Sequence, residues 1–330
     1  MSTPTQAGST VTQRTVLVLG ATGFIGCHVL AQLQATNGVT TVTSTRTPQA
    51  ENLETVFFDL LHSDVLTLTK LLERLRPEAV INAAGATSGS DQHLIAVNVL
   101  AVSRLIEAMV KAVPNARLIH LGSAAEYGVI QTGQPVTEDT PCRPVSAYGI
   151  SKLAATQLVT LAREDGLLEA ITLRVFNPIG AGIGQNTLPG RVALALRDAI
   201  QHGQPEITTG PLGAFRDFVD VRDVATAVVA ALQSPELPRG PLNVGSGLAM
   251  RSRAMVELFA QIAGFTGRIA ERDAGSPRSS DVNWQQADLS QIKDGLGWTP
   301  KMTLRDSLEA LWQSVAPTAL RHTPIEVANV

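Results

Sequence analysis

The sequence predicts an α/β fold in which helices cover both faces of a parallel sheet, followed by a smaller C-terminal lobe. The first observation is that short apolar, β-branched segments alternate with segments of helical periodicity over residues 16–178. That order produces parallel strands joined by helices. The second observation is a glycine-rich turn directly after the first apolar segment. The third is that the alternation weakens after Gly180, where elements become short and are separated by Pro and Gly.

The predicted elements follow the chain in order. Runs of apolar or β-branched residues predict strands at 16–19, 39–45, 55–60, 78–81, 116–121, 170–175, 215–221 and 242–245. Apolar residues at helical spacing predict helices at 63–76, 91–113, 146–164, 191–201, 221–233, 251–263 and 303–314. We expect a leader at 1–13, a cofactor-binding domain at 14–178 with returning segments near 215–245, a substrate-binding lobe at 179–214 and 246–315, and a tail at 316–330.

Composition excludes several classes of function. The formal net charge is −3, which provides no basic field for nucleic acid. We find no run of about 18 apolar residues and expect no membrane span. Residues 1–13 are rich in Ser and Thr and lack the charged and apolar regions of a signal peptide. Cys27 and Cys142 stand in neither metal nor redox spacing, so we expect no metal site and a reduced, cytoplasmic protein.

The glycine-rich turn has the spacing of a dinucleotide-binding site. Gly20, Gly23 and Gly26 follow the first strand and open a helix. Gly20 permits a sharp turn, Gly23 lets a pyrophosphate approach the backbone, and Gly26 lets the helix pack closely on the strand. The free amides at the start of the helix then favour phosphate. The sequence therefore predicts a Rossmann-type, doubly wound sheet that binds a dinucleotide, although such a turn can be purely structural.

The ends of the next strands bear on the choice of cofactor. The second strand ends in Thr-Ser-Thr-Arg46 without an acidic residue, which favours the 2′-phosphate of NADP over NAD. Arg46 as a solvated loop charge is the alternative. Asp59 ends the third strand and is expected to accept from the adenine amino group, with Leu60 along the ring; a turn-forming Asp is the alternative. Small residues through Gly85 after the fourth strand leave room for the cofactor.

Three side chains have the chemistry of a carbonyl reductase. Tyr148 and Lys152 stand four apart on a predicted helix and share one face. An ammonium near a phenol favours the phenolate, so the phenol can exchange a proton closer to neutral pH. Ser123, at the end of a predicted strand, can bond to the same substrate oxygen. The three groups together provide a proton donor and a polar cradle beside a nicotinamide.

These residues belong to a set of motifs that resembles a known family. The chain resembles an extended short-chain dehydrogenase/reductase of the NAD-dependent epimerase/dehydratase kind that modifies nucleotide sugars. The resemblance covers residues 15–264. The matching motifs are Gly20-Ala-Thr-Gly-Phe-Ile-Gly26, Asn82-Ala-Ala-Gly85, Ser123, Tyr148-x-x-x-Lys152, Arg174-Val-Phe-Asn-Pro178, Arg216-Asp-Phe-Val-Asp-Val-Arg-Asp223 and Asn243-Val-Gly-Ser-Gly247.

The resemblance implies roles for individual residues. It makes Tyr148 the catalytic acid/base and Lys152 the residue that orients the ribose, while Ser123 holds the sugar carbonyl. It implies that Asn177 and Arg216 contact the substrate diphosphate, for which a guanidinium is suited; an ion pair of Arg216 with a neighbouring Asp is the alternative. Further implied cofactor contacts are Thr22, Phe24, Ile25, Ala83, Ala84, Asn98 and Phe176. Further implied substrate contacts are Ala124, Glu126 and Tyr127, for which a packed turn is the alternative. A homodimer through helices 91–113 and 148–164 is also implied.

The choice within the family depends on two positions. Sugar-nucleotide 4,6-dehydratases of this family carry an Asp-Glu pair where this chain has Ala124 and Ala125, and alanine cannot move protons. A 4-ketoreductase and a 4-epimerase remain. Arg46 without an acid favours exchangeable NADP(H), with NAD possible, and the segments 122–128 and 135–141 resemble the GDP-4-keto-6-deoxymannose reductases. We therefore expect NADPH-dependent reduction of a keto group, at C4, on a nucleotide-linked 6-deoxyhexose. An NAD-dependent epimerase and a nucleotide-sensing protein without catalysis are the alternatives.

Overall fold

A computed structural model describes residues 13–45, 55–272 and 282–315. The strands in these residues are β1 (Arg14–Leu19), β2 (Val39–Thr45), β3 (Thr55–Phe57), β4 (Ala79–Asn82), β5 (Arg117–Ser123), β6 (Ala170–Val175), β7 (Asn177–Ile179), β8 (Glu206–Thr209), β9 (Phe215–Asp220), β10 (Leu242–Val244), β11 (Ala249–Arg251) and β12 (Arg268–Glu271). The helices are α1 (Phe24–Gln34), α2 (Val65–Leu75), α3 (Asp91–Ile95), α4 (Ala101–Ala112), α5 (Ala147–Glu164), α6 (Leu188–Gln201), α7 (Val221–Gln233), α8 (Ser252–Ala263), α9 (Ser290–Leu296) and α10 (Leu304–Val315).

The main sheet confirms the predicted doubly wound architecture. Its seven strands lie in the order β10-β6-β5-β4-β1-β2-β3, and every neighbouring pair is parallel. One face packs on α1 and α7 through a buried apolar cluster that includes Val16, Ile119 and Val228. The other face packs on α2, α4 and α5, with Leu105 and Val159 in its core. The order reverses direction between β1 and β4, where such sheets open a crevice at the carboxyl ends of their strands.

The second lobe is built from short strands and three longer helices. β11, β9 and β7 form a three-stranded sheet, and β12 pairs with β8. Helices α6, α8 and α10 bury a separate apolar cluster around Phe259 and Leu308. The strand predicted at 215–221 forms as β9, but it joins this smaller sheet, whereas β10 returns to the main sheet. β7, β8, β11, β12 and α9 were not predicted from the sequence.

The helix predicted at 91–113 forms with a local irregularity. α3 continues through a π-helical turn, Ala96–Leu100, into α4. By length and composition alone, the helix Asp91–Ala112 is apolar enough to cross a membrane. In this fold it is a core helix, because Leu105, Ala108 and Met109 are fully buried against the sheet and its neighbouring helices. Among the described residues, no group of three or more His, Cys, Asp or Glu side chains could hold a metal ion.

Candidate active site

The predicted cofactor and catalytic motifs meet at one edge of the main sheet. Leu19 of β1 pairs with Asn82 of β4, which pairs in turn with His120 of β5. The glycine turn and residues 83–85 directly follow β1 and β4, and Ser123 is the last residue of β5. Because the strands are parallel, the three segments lie side by side at the carboxyl edge, which is where open α/β sheets bind their ligands.

The glycine turn forms a cradle that has no room for side chains. Gly20 has φ +78°, and a Cβ there would lie 2.6 Å from the Ala84 nitrogen. A Cβ on Gly26 would overlap the Gly20 carbonyl, so helix and strand approach closely only with glycine. Helix α1 begins at Phe24 with no side-chain cap, and its first amides have no acceptor within the helix. Thr22 and Gly23 are exposed at its mouth. These features fit the pyrophosphate of a dinucleotide.

Asn98 supports the loop after β4 from within the protein. Its Oδ1 accepts from the Ala86 amide at 2.9 Å, and its Nδ2 donates to the Ala86 carbonyl and to Ser151 Oγ, both at 2.9 Å. The side chain is buried in the π-helical turn, with its amide committed to these partners. Asn98, which the sequence suggested as a cofactor ligand, therefore positions the loop of Ala83, Ala84 and Gly85, which are themselves partly or fully exposed.

The residues expected to select the cofactor are only partly described. Arg46 lies outside the described residues. Asp59 follows β3 and accepts from the Leu61 amide and from His62 Nδ1, each at 2.9 Å. Burial opposes its ionisation, but these hydrogen bonds outweigh burial and lower the pKa of Asp59. The carboxylate thus shapes its own turn, as the structural alternative expected, while Leu60 packs partly against the core.

Lys152 is buried and anchored to the strand that carries Ser123. Only 6% of its surface is exposed, and its Nζ donates to the Leu121 carbonyl at 2.5 Å. Burial lowers the pKa of Lys152 to about 8, against an opposing effect from the charge of Glu126. Tyr148 lies one turn earlier on α5 and is half-buried. The predicted helix and the shared face of these two residues are therefore present in the fold.

Close packing holds α5 against the turn that follows Ser123. A Cβ on Gly149 would lie 2.5 Å from the Ala125 carbonyl oxygen, so the residue after Tyr148 touches this turn directly. Ser123 ends β5 and its Oγ accepts from the Ala125 amide at 3.2 Å. The three predicted catalytic residues are thus carried by two elements in direct contact, β5 with its turn and α5.

Glu126 and Tyr127 lie on the inner side of the catalytic turn. Both residues are fully buried. Glu126 Oε1 accepts from the Ser123 amide and Oε2 accepts from Arg174 Nε, each at 2.8 Å. Tyr127 donates to Asn243 Oδ1 at 2.7 Å, with the Arg174 guanidinium 4.7 Å from its ring centre. These side chains hold the turn from behind, as the packed-turn alternative expected, and neither faces the crevice.

Two further residues of the predicted site, Ala124 and Phe176, have buried side chains. Ala124 is 3% exposed and Phe176 is 4% exposed, and both side chains belong to an apolar cluster with Tyr127, Val136 and Ala287. The cluster covers the side of the catalytic turn that faces the second lobe. The side chains of Ala124 and Phe176 are therefore packing residues, since they present no free surface to a sugar or to a cofactor.

Asn177 and Arg216 lie on neighbouring strands of the smaller sheet, β7 and β9. Asn177 Nδ2 donates to the Asp217 carbonyl at 3.0 Å and to Gln285 Oε1 at 3.1 Å. The Asp217 carboxylate accepts from Ser246, Gly247 and Ala287. Asp220 binds Arg222. Burial lowers the pKa of Arg216 to about 10, so an anion beside it would favour the guanidinium charge.

Sequence reasoning missed the inward role of Glu126, although a signal was present. Ser123 and Glu126 form a capping box around a short helical turn. The Ser123 side chain accepts a backbone N–H of the turn, and the Glu126 side chain accepts the backbone N–H of Ser123. The pattern Ser-x-x-Glu predicts this arrangement from sequence alone. The buried carboxylate of Asp217 had no such signal, because its partners lie 29 to 70 residues further along the chain.

Comparisons with known proteins find a family and relatives that match most of the chain. The model of the NAD dependent epimerase/dehydratase family matches residues 16–245. A relative from Kitasatospora kifunensis, dTDP-6-deoxy-L-talose 4-dehydrogenase (NAD(P)(+)), is 40% identical over 310 residues, which cover 92% of this chain and 97% of the relative. GDP-6-deoxy-D-mannose reductase from Pseudomonas aeruginosa is 29% identical over 92% of this chain and 98% of its own.

The fold has a similarly complete match among solved structures. The structure of RMD from Pseudomonas aeruginosa complexed with NADPH superposes with a TM-score of 0.77 at 26% identity, and the match covers 92% of this chain and 97% of that one. Sequence, fold and the glycine cradle therefore agree, and the chain belongs to the NAD-dependent epimerase/dehydratase family of NAD(P)-dependent enzymes.

Proposed function

We propose that this protein is a ketoreductase that acts at C4 of a nucleotide-linked 6-deoxyhexose. The observation that supports this most strongly is the contact between α5 and the turn after Ser123, which groups Ser123, Tyr148 and Lys152 beside the glycine cradle. The most similar relative reported above bears the name of a 4-dehydrogenase of a 6-deoxyhexose. A 4-dehydrogenase and a 4-ketoreductase describe one reaction in its two directions.

The side chains divide the chemistry of carbonyl reduction between them. Bound NADPH supplies the hydride that reduces the carbonyl carbon. Tyr148 gives its proton to the carbonyl oxygen, which becomes the hydroxyl. Ser123 Oγ donates a hydrogen bond to that oxygen and stabilises the charge that develops on it. The Lys152 ammonium favours loss of the phenol proton. Ala124 and Ala125 supply no acid or base, which argues against a dehydratase.

The proposed cofactor contacts follow the cradle. Gly20, Gly23 and Gly26 with the start of α1 would hold the pyrophosphate, because the glycines place no side chain in its way and Thr22 and Gly23 are exposed at the mouth of the helix. Residues 83–85 would flank the nicotinamide half. We propose NADP(H) as the preferred cofactor on the strength of Arg46, with NAD as the alternative; the name of the Kitasatospora relative allows both.

The proposed substrate carries a thymidine diphosphate. Arg216, whose charge is opposed by burial, would bind the diphosphate, and Asn177 would lie beside it. The base is proposed from the dTDP-linked sugar named for the relative with 40% identity. The resemblance of segments 122–128 and 135–141 to GDP-sugar reductases makes guanosine the alternative. The lobe of residues 179–214 and 246–315 would close over this nucleotide, in the division that the sequence suggested.

We also propose a homodimer. Helices α3 to α5 expose several large apolar side chains, namely Ile95, Leu100, Ile150 and Leu161. Exposed apolar residues grouped on neighbouring helices indicate a contact surface, and a second copy of the chain would bury them.

We further propose a cytoplasmic location. Cys27 and Cys142 are free thiols, which is in keeping with a reducing compartment.

A direct assay separates ketoreductase from epimerase. The purified protein is incubated with dTDP-4-keto-6-deoxyhexose or its GDP counterpart, and with NADPH or NADH, while loss of the reduced cofactor is followed by absorbance. The proposal expects stoichiometric oxidation of NADPH with the dTDP-sugar. An epimerase would carry tightly bound NAD through purification and invert C4 of a dTDP-hexose without net oxidation. A protein that binds the sugars but performs neither reaction would support the sensing alternative.

A further inference from the structure

Two side chains of opposite charge bond to one edge of β5 beside the proposed catalytic residues. The pairing of β4 with β5 ends where Asn82 lies opposite His120. Just beyond that point, Lys152 Nζ donates to the Leu121 carbonyl at 2.5 Å. The Ser123 amide donates to Glu126 Oε1 at 2.8 Å.

Both bonds lie on the edge of β5 that faces β4. The Arg117 amide donates to the carbonyl of Glu78, the residue directly before β4. The peptide groups of Arg117 on β5 therefore point towards β4. Peptide groups two residues apart on a strand point the same way, so those of Leu121 and Ser123 also point towards β4. Lys152 and Glu126 are therefore neighbours along a single strand edge, where β4 no longer provides partners.

The carboxylate of Glu126 is fixed on its other side. Arg174 Nε donates to Glu126 Oε2 at 2.8 Å, and Arg174 Nη1 donates to the Tyr127 hydroxyl at 3.0 Å. Both Glu126 and Tyr127 are fully buried, and Arg174 is 5% exposed. Because each carboxylate oxygen is held by its own donor, the charge of Glu126 is fixed near the strand edge to which Lys152 bonds.

The charges around Lys152 show which group favours the ammonium. Among the described residues, Glu126 on the turn and His120 on β5 interact electrostatically with Lys152, Tyr148 lies one turn earlier on the same helix, and Arg174 of β6 binds Glu126. Burial, together with the charge of Lys152, keeps the pKa of His120 well below its usual range, so the imidazole is neutral. Burial lowers the pKa of Lys152 to about 8, and Glu126 opposes that shift.

We infer that Glu126 is a positioning residue of the catalytic centre, which holds the Ser123 amide and keeps the neighbouring Lys152 ammonium charged. It contacts neither substrate nor cofactor and acts through Ser123 and Lys152. The inference rests on the proposed function, because it takes Tyr148 and Lys152 as the proton-transfer pair. The family resemblance predicts a sugar contact for this carboxylate, whereas in the structure it is fully buried and bonds to the Ser123 amide and Arg174.

The test is the pH profile of kcat for Glu126→Gln, measured as NADPH oxidation with the keto-sugar. Removing a negative charge lowers the pH at which the Tyr148–Lys152 pair loses its first proton, whichever of the two groups releases it. The basic limb of the profile, where kcat falls as pH rises, should move to lower pH by about one unit. That is the size of shift that a nearby charge produces in a pKa. A basic limb at the wild-type pH would overturn the inference.

Two further variants separate charge from structure. Glu126→Asp keeps the charge but shortens the reach, so it should lose thermal stability while its basic limb stays at the wild-type pH. A limb that moves in Glu126→Asp would contradict the inference, even if Glu126→Gln failed to fold. Glu138→Gln is the matched control. The Glu138 carboxylate accepts from the backbone amide of Asn243, whose side chain bonds to Tyr127 at the far end of the hydrogen-bond network around Arg174. Its limb should stay in place, and a shift equal to that of Glu126→Gln would count against Glu126.

The outcomes also separate this inference from the proposed function. A wild-type enzyme that oxidises no NADPH with either keto-sugar refutes the ketoreductase. If that protein inverts C4 instead, the same three profiles are recorded on epimerisation, where the shift in Glu126→Gln still decides the role of Glu126. Wild-type ketoreduction combined with an unmoved limb in Glu126→Gln refutes the inference alone.

Discussion

Gly149 lies directly against the carbonyl of Ala125, at a distance where a methyl group on Gly149 would be 2.5 Å from the oxygen. This contact joins two elements that are adjacent in space but 24 residues apart in sequence. Tyr148 directly precedes Gly149 on α5, and Ser123 precedes Ala125 by two residues. The distance between the proposed proton donor and the proposed carbonyl-binding serine is therefore set by a contact with no room for a side chain.

Gly149→Ala should disturb catalysis more than folding. The new methyl group meets backbone and Pro144 Cβ, so α5 must move away from the catalytic turn. We expect kcat to fall by about tenfold to a hundredfold, the cost of misplacing a reacting group by a fraction of an ångström to an ångström. Steady-state kinetics with NADPH and the keto-sugar measures this. Gly213→Ala, where nothing lies within 4 Å of the new methyl group, is the control and should keep full activity.

The main sheet could be predicted from sequence because its strands are buried on both faces. Val16 lies in a continuous apolar run, and Ile119 and Ile171 lie in short runs rich in apolar and β-branched residues; such runs are distinctive. β8 and β12 have four residues each and β7 and β11 have three. Segments this short contain too few positions to show a period, so their pairing depends on the surrounding lobe.

The candidate site was predictable only where chemistry is local in sequence. The glycine turn and the pair Tyr148 and Lys152 are short patterns within one element each. The burial of Glu126 depends on Arg174, 48 residues away. Sequence similarity to a family motif suggested a sugar contact for Glu126, whereas the direction of its side chain is decided by this distant partner and by the capping box.

Arg216→Met should weaken binding of the nucleotide sugar and leave the cofactor site intact. Losing a charged hydrogen-bond donor to a diphosphate costs about 1.5–3 kcal/mol, which raises KM for the sugar by roughly tenfold to a hundredfold. Initial rates at varied sugar concentration measure KM, and fluorescence titration measures NADPH affinity.

Arg251→Met provides the control for Arg216→Met. Arg251 is exposed on β11, the strand that pairs with β9, so its loss should leave KM for the sugar unchanged. An equal rise in KM for both variants would show that a general loss of positive charge is responsible, and it would exclude Arg216 as a specific ligand.

Lys152→Met should change how stability depends on pH. The pKa of Lys152 is lowered to about 8 in the folded protein from 10.5, so between these values the unfolded chain binds the extra proton. Stability from this group therefore rises as pH increases through that window, by on the order of 3 kcal/mol in total. The difference in unfolding free energy, wild type minus Lys152→Met, should grow from pH 8 to pH 10.5 in urea titrations. A difference that stays constant or shrinks with pH would mean that Lys152 is not buried in this way.

The Tyr148 hydroxyl is the proposed acid that protonates the sugar carbonyl. The most direct measurement is kcat of Tyr148→Phe with NADPH and dTDP-4-keto-6-deoxyhexose, with the melting temperature and NADPH affinity recorded on the same preparation. Loss of a general acid predicts a fall in kcat of about a hundredfold to ten-thousandfold, with melting temperature and cofactor affinity close to wild type. A folded Tyr148→Phe protein that binds NADPH and reduces the sugar at a near wild-type rate would contradict the account.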